Sequence, residues 1–157
     1  MTETSAPEIA LRAAHPDEAD DLTELCLRSK AHWGYDDAFM AACRRELTVS
    51  QQVIAGSLLQ VATVGGTPAA VAELGEEDGV WFLDKLFVDP PFMGLGLGRQ
   101  LLAWAMKTAA AQGASSLEIA ADPDAVPFYE HFGARQIGEE PSGSIPGRVL
   151  PLLELSL

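Results

Sequence analysis

Gly94, Gly96 and Gly98 occupy alternate positions in Met93-Gly94-Leu95-Gly96-Leu97-Gly98-Arg99, and the chemistry this spacing offers is anion binding. Glycine lets the main chain approach a ligand with no side chain in the way. Successive N–H groups at a helix start form a positive concavity suited to phosphate. The residues that follow argue against two other phosphate loops. A P-loop closes on Gly-Lys-Ser/Thr, whereas Gly98 is followed by Arg99-Gln100, so nucleotide hydrolysis is disfavoured. A dinucleotide fingerprint places its third glycine where Arg99 stands counted from Gly94, and where Leu101 stands counted from Gly96. Nicotinamide chemistry is therefore a distant third reading.

Two further stretches carry reactive side chains. His32-Trp33-Gly34-Tyr35 sets three rings around a glycine, which suits a pocket wall and equally suits a Trp33 that plugs a sheet edge. Asp122-Pro123-Asp124-Ala125-Val126-Pro127-Phe128-Tyr129-Glu130-His131-Phe132-Gly133 reads as a short helix with a glycine cap. Taken alone, Phe128-Tyr129 is ordinary core packing.

The elements that must position these residues are legible in the pattern. Val80 to Val88 is an aromatic and β-branched strand stopped by Pro90-Pro91. Leu97, Leu101, Leu102, Ala105 and Ala109 share one helical side, with Gly113 as the stop. Upstream, Ile9 to Ala13 is a short strand. Pro16 opens a helix with acidic residues in its first turn and Arg28 and Lys30 in its last; Leu22, Leu25, Cys26 and Ser29 form its inner face. Asp36 caps a second helix that turns Phe39, Met40, Cys43 and Leu47 inward. Leu58–Val64 and Thr67–Leu74 form a hairpin at Gly65-Gly66, and Glu76-Glu77-Asp78-Gly79 turns into the Val80 strand. Leu117 to Ala120 is a strand parallel to it. Arg135–Glu140 and Arg148–Leu157 form a last pair, with a bulge or an edge expected at Pro151.

Two motifs in this order resemble the GNAT superfamily of N-acetyltransferases. The first is a strand ending Val-Asp-Pro, then Arg/Gln-x-x-Gly-x-Gly and an amphipathic helix, here with Met93 in the first place. The second is Asn-x-x-Ala-x-x-Phe-Tyr-x-x-x-Gly-Phe, here with Asp122 for Asn and Ala134 for the final Phe. The resemblance implies an α/β (α+β) fold with a mixed, mostly antiparallel central sheet of about six or seven strands and about four flanking helices. It implies one such domain over residues 1–157, with residues 1–7 as a flexible tail.

The resemblance further implies acetyl-CoA as co-substrate and no metal, with direct transfer to a primary amine in a ternary complex. Pantetheine would lie between the splayed strands of Leu83–Val88 and Leu117–Ala121, against main-chain groups of Leu86, Phe87 and Val88. The Val88 N–H would polarise the thioester carbonyl. Met93, Gly94, Leu95, Gly96, Leu97, Gly98 and Arg99 would hold the pyrophosphate, and Asp122, Ala125, Phe128 and Tyr129 would complete the cofactor site. Tyr129 would protonate the leaving thiolate, since a phenol with a pKa near ~10 keeps its proton at neutral pH. Glu73 or Asp84 would serve as base through water; a solvated strand face explains each equally well, and solvent alone is a further alternative. His32, Trp33, Tyr35 and Arg148 would wall the acceptor pocket. Met93, Asp122 and Ala134 leave open a second reading, a catalytically silent CoA-binding sensor or interaction module.

Composition bounds the partners. The chain has 157 residues, 48% hydrophobic, with a formal net charge of −13. That length and apolar content suit a folded core, and the charge disfavours nucleic acid. A cationic amine would be drawn to such a surface, although acidity is common among cytosolic proteins. No stretch suits a membrane span, and Met1-Thr2-Glu3-Thr4-Ser5-Ala6-Pro7-Glu8 is unlike a signal peptide, so a cytoplasmic protein without membrane association is expected. Cys26 and Cys43 read as reduced core thiols, and His15, His32 and His131 lack metal-ligand spacing. The acceptor is expected to be a small-molecule or peptide amine. Analogy with related folds allows a homodimer through sheet edges.

Overall fold

Seven strands assemble into one mixed sheet in the order β1-β2-β3-β4-β5-β7-β6. They are β1 (Ile9–Ala13), β2 (Leu58–Val64), β3 (Thr67–Glu77), β4 (Val80–Val88), β5 (Ser116–Ala120), β6 (Arg135–Pro141) and β7 (Val149–Ser156). Every neighbouring pair is antiparallel except β4–β5. The helices are α1 (Ala19–Ala31), α2 (Asp37–Leu47), α3 (Gln51–Gly56), α4 (Leu97–Ala111) and α5 (Val126–His131). This is the mixed, mostly antiparallel α/β arrangement that the motifs implied. The computed structural model describes residues 8–56 and 58–157; the tail expected at residues 1–7 lies outside them. No described helix is long and apolar enough to cross a membrane.

Alternation along β3 divides the core in two. Ala70, Ala72 and Leu74 pack with Leu101 and Ala105 of α4, Leu117 of β5 and Leu153 of β7. Val71 points the other way, to Leu22, Leu25 and Cys26 of α1 and Cys43 and Leu47 of α2. Helix α4 and the α1–α2 pair therefore cover opposite faces. The α4 face is the one its spacing predicts: Leu97, Leu101, Leu102, Ala105 and Ala109 are all buried. Asp36 caps α2 by accepting the Phe39 N–H at 2.8 Å.

Some sequence expectations are corrected. Helix α3 has too few residues and too little periodicity to be visible in the pattern, and it brings the described α-helices to five. Residues Pro16–Glu18 form a separate 3-10 turn before α1. Strand β3 runs on through Glu77, which pairs with Val80. The turn shrinks to Asp78-Gly79, both at positive φ (52° and 83°), the geometry of a two-residue hairpin loop. Pro151 lies neither at an edge nor in a bulge; β7 is an interior strand, and the register shift falls in β6 between Gln136 and Gly138. Its missing N–H is tolerated because it faces the point where β5 ends: the Pro151 carbonyl accepts from Ala121 at 3.0 Å, just past Ala120.

Strands β4 and β5 part almost as soon as they meet. Their ladder holds a single registered pair, Phe82 with Glu118. On its other side β4 stays paired to β3 through Val88, with a register shift that leaves Asp84 as the extra residue between Leu83 and Lys85. The Asp89 N–H donates to the Ala69 carbonyl at 2.8 Å, so Asp89, Phe87 and Lys85 face β3. By alternation Leu86 and Val88 turn their N–H and C=O groups into the gap. The main chain of Phe87 is thus committed to the ladder, which corrects its expected role as a backbone donor.

Candidate active site

The parted strands open a cavity of about 420 Å³ that runs through the sheet. On one side lies the glycine loop. A 3-10 turn over Pro90–Phe92 ends β4, and Arg28 holds this corner, its Nε and Nη2 donating to the two oxygens of Asp89 at 3.0 and 2.9 Å. Gly94 and Gly96 then take left-handed φ values of 87° and 79°, Gly96 as the N-cap of α4. Open space surrounds both, so it is backbone conformation that calls for glycine there. At Gly98 a Cβ would come into ordinary van der Waals contact with the Phe128 ring, at 3.4 Å.

Among the described residues, the N–H groups from Gly94 through Arg99 donate to no protein acceptor; the first to do so is Gln100, to Gly96 at 3.1 Å. A helix start leaves its first N–H groups free. Here the glycine turn adds more ahead of it. The donor set fits a diphosphate. Of the loop residues only Leu95 does not line the cavity; it is 46% exposed.

Tyr129 lines the cavity beside Phe128, with ring centroids 5.2 Å apart. Burial pushes its hydroxyl above the ordinary phenol value, and among the described residues no hydrogen bond competes for its proton. Asp84 also lines the cavity, placed there by the bulge. Glu73 does not. It is buried on the α1 face and accepts from Lys85 Nζ at 2.8 Å, while the same ammonium donates to Asp84 at 3.1 Å. Burial raises Glu73 despite Lys85. For Lys85 burial is the largest effect and lowers the value, yet the two carboxylates together raise it. Burial thus keeps the proton on Glu73, and the two carboxylates keep it on Lys85.

The opposite wall comes from α1, α2 and the loop before β7. Tyr35 donates to Asp122 Oδ2 at 2.5 Å and accepts from Arg148 Nη2 at 2.8 Å. Burial and the Asp122 carboxylate raise its pKa to about 12. Its ring stacks on Phe39 with centroids 4.0 Å apart. Lys30 Nζ lies 5.7 Å and Arg148 Cζ 5.2 Å from the Tyr35 ring centre. Asp122 also accepts from the Asp124 N–H at 3.0 Å, which fixes the turn before α5.

The structure brings together most residues singled out from sequence, with different duties. Trp33, Arg148, Asp122 and Ala125 line the cavity. Tyr35 stands behind it as a tie. His32 is exposed, does not line the cavity and meets Trp33 edge-on, 6.2 Å between centroids. Lys30, Cys43, Glu46 and Ser142 line it unforeseen. Lys30 reads in sequence as a helix-end charge and Cys43 as core. Glu46 carries no local signal: its role depends on the β6–β7 loop, whose Ser144 hydroxyl donates to it and whose Gly143 approaches so closely that a Cβ would lie 2.9 Å from Oε1.

Residues 21–143 match the family described as Acetyltransferase (GNAT) domain. No curated protein matches the chain. Among solved structures, a GCN5-related N-acetyltransferase from Rhodopseudomonas palustris is similar at TM-score 0.79 and 24% identity, covering 100% of this chain and 99% of that one. PaiA N-acetyltransferase from Thermoplasma acidophilum, in complex with coenzyme A, is similar at 0.77 and 18%, covering 96% and 99%. YncA from Salmonella typhimurium, with its cofactor acetyl-CoA, is similar at 0.67 and 20%, covering 95% and 94%. At these identities the likeness is one of fold.

Proposed function

The chain belongs to the GNAT family of acetyltransferases, and on that premise we propose that it acetylates a primary amine by direct attack within a ternary complex. The observation that carries this reading is the run of free N–H groups from Gly94 to Arg99 at the mouth of the gap between β4 and β5. The loop binds the diphosphate of acetyl-CoA, and Arg99 adds a positive charge beside it. Leu86 and Val88 offer main-chain groups along the gap to the pantetheine arm. The thioester supplies the activated acyl group: the amine nitrogen forms the new C–N bond while the C–S bond breaks.

The protein's own groups handle charge and protons. The Val88 N–H stabilises negative charge that develops on the carbonyl oxygen. Tyr129 gives its proton to the departing sulfur. Asp84 takes the proton released by nitrogen, directly or through water. Glu73 is a positioning residue, holding Lys85, which in turn holds Asp84.

Calorimetric titration with acetyl-CoA, followed by a thiol-release assay on a pooled amine library, tests the reading. Binding together with acceptor-dependent release of CoA is the expected result. Absence of binding would overturn it, and binding without turnover on any amine would favour the catalytically silent alternative.

A further inference from the structure

The acceptor wall holds two cations whose donors are largely unused. Among the described residues Lys30 Nζ makes no hydrogen bond; its nearest carboxylate, Asp122, is 3.9 Å away. The Arg148 guanidinium donates, among the described residues, only to the neutral Tyr35 hydroxyl, and its distance to Asp122 is 3.7 Å, again too long for a hydrogen bond. Asp122 cannot serve them better, because its oxygens already accept from Tyr35 and from the Asp124 N–H. Glu46 on the same wall is occupied by the Ser144 hydroxyl. Both cations nevertheless line the cavity, with side chains only 15% and 19% exposed, and both rest against the stacked Tyr35 and Phe39 rings. Ordering two long cationic side chains in a partly dry cleft is costly unless an anion meets them.

We propose that Lys30 and Arg148 bind a carboxylate of the acceptor, so that the amine acetylated is that of an amino acid. The inference rests on the acetyltransferase reading and names its substrate class. Charge selects a carboxylate over a phosphate. Lys30 and Arg148 stand against Asp122 and, on the same wall, Glu46, so the wall has no formal surplus of positive charge, and a singly charged carboxylate meets less repulsion from these two acids than a dianion does. The guanidinium supplies the planar fork that pairs with a carboxylate edge. The aromatic platform holds both heads in place before the ligand arrives.

Matched pairs test this: free amino acids against their carboxamides, with diamines and phosphoethanolamine as further arms, each assayed by thiol release at saturating acetyl-CoA. The expected result is a kcat/KM at least tenfold higher for the acids. Lys30→Gln and Arg148→Gln should each shrink that acid-over-amide preference tenfold or more, mainly through KM. Lys30 makes no hydrogen bond among the described residues, so its variant keeps the test sound if Arg148→Gln loosens Tyr35. Equal or better turnover of amides, diamines or phosphoethanolamine overturns the proposal. So does silence of the acids, or a loss in the variants that falls alike on acids and amides. Failure to bind acetyl-CoA would sink the acetyltransferase reading and this one with it, whereas binding with the wrong acceptor preference sinks this one alone.

Discussion

Tyr35 and Asp122, 87 positions apart in the chain, meet in a 2.5 Å hydrogen bond that joins the segment after α1 to the turn after β5. The bond lies behind the cavity wall and keeps Arg148 in place through the same phenol oxygen. Tyr35→Phe keeps the stack on Phe39 and removes only the hydroxyl. Because the partner is a carboxylate, the expected loss is about 1.5–3 kcal/mol of stability. A lowered thermal midpoint with a raised acceptor KM would confirm it; an unchanged midpoint would show that the tie contributes nothing.

Tyr129 is predicted to act on the leaving group. Removal of a general acid costs roughly 10²–10⁴ in rate, so Tyr129→Phe should lower kcat by about that factor while acetyl-CoA affinity changes little. Steady-state kinetics beside a calorimetric Kd separates the two. A wild-type kcat would remove Tyr129 from the mechanism.

Gly96 caps α4 at φ 79° with free space around it. Gly96→Ala therefore introduces backbone strain without a clash, at a cost of about 1–2 kcal/mol. Relief of that strain would tilt the loop amides away from their shared focus, and acetyl-CoA binding should weaken about tenfold or more, each factor of ten being about 1.4 kcal/mol. An unchanged Kd would mean that the loop amides do not carry cofactor binding.

Asp84 and Lys85 are adjacent yet should fail differently. The Asp84 side chain is 49% exposed and that of Lys85 only 6%. Asp84→Asn should cut kcat and leave the thermal midpoint nearly unmoved. Lys85→Met strands the buried Glu73 without its counter-ion and should destabilise the fold by about 3–5 kcal/mol. If Asp84→Asn turns over at the wild-type rate, solvent is the base.

The bidentate pair of Arg12 with Glu18, at 2.8 and 2.7 Å, predicts a pH effect on stability. The Arg12 hydrogen bond lowers Glu18 from its ordinary 4.5 to about 2. A carboxylate with a lowered folded pKa contributes fully above its unfolded value and loses that contribution as pH falls. Glu18→Gln should therefore flatten the stability curve between about pH 4.5 and pH 2. Denaturant titrations across that range would detect it, and curves parallel to wild type would count against the pair.

Much of the frame was legible because it is written in local chemistry. The α4 face follows from helical spacing, the Asp36 cap from the side-chain oxygen one residue ahead of α2, and the Gly65-Gly66 hairpin from turn preference. The loop at Gly94, Gly96 and Gly98 belongs with these, since left-handed φ values and a following helix suffice to predict free amides. Pro151 misled because its tolerance depends on where a neighbouring strand ends, a fact held by β5 and not by β7.

The sequence by itself determined the glycine turn, the strand and helix around it, and the second motif that carries Tyr129; each rests on dihedral preference and periodicity within a few residues. Only the tertiary structure decided that β4 and β5 separate after Phe82 and Glu118, that Asp84 faces the cavity while Glu73 is tied to Lys85, and that Lys30, Tyr35, Asp122 and Arg148 form one wall. Those outcomes depend on side chains delivered by elements far apart in the chain, and no spacing between neighbouring residues encodes where such elements meet.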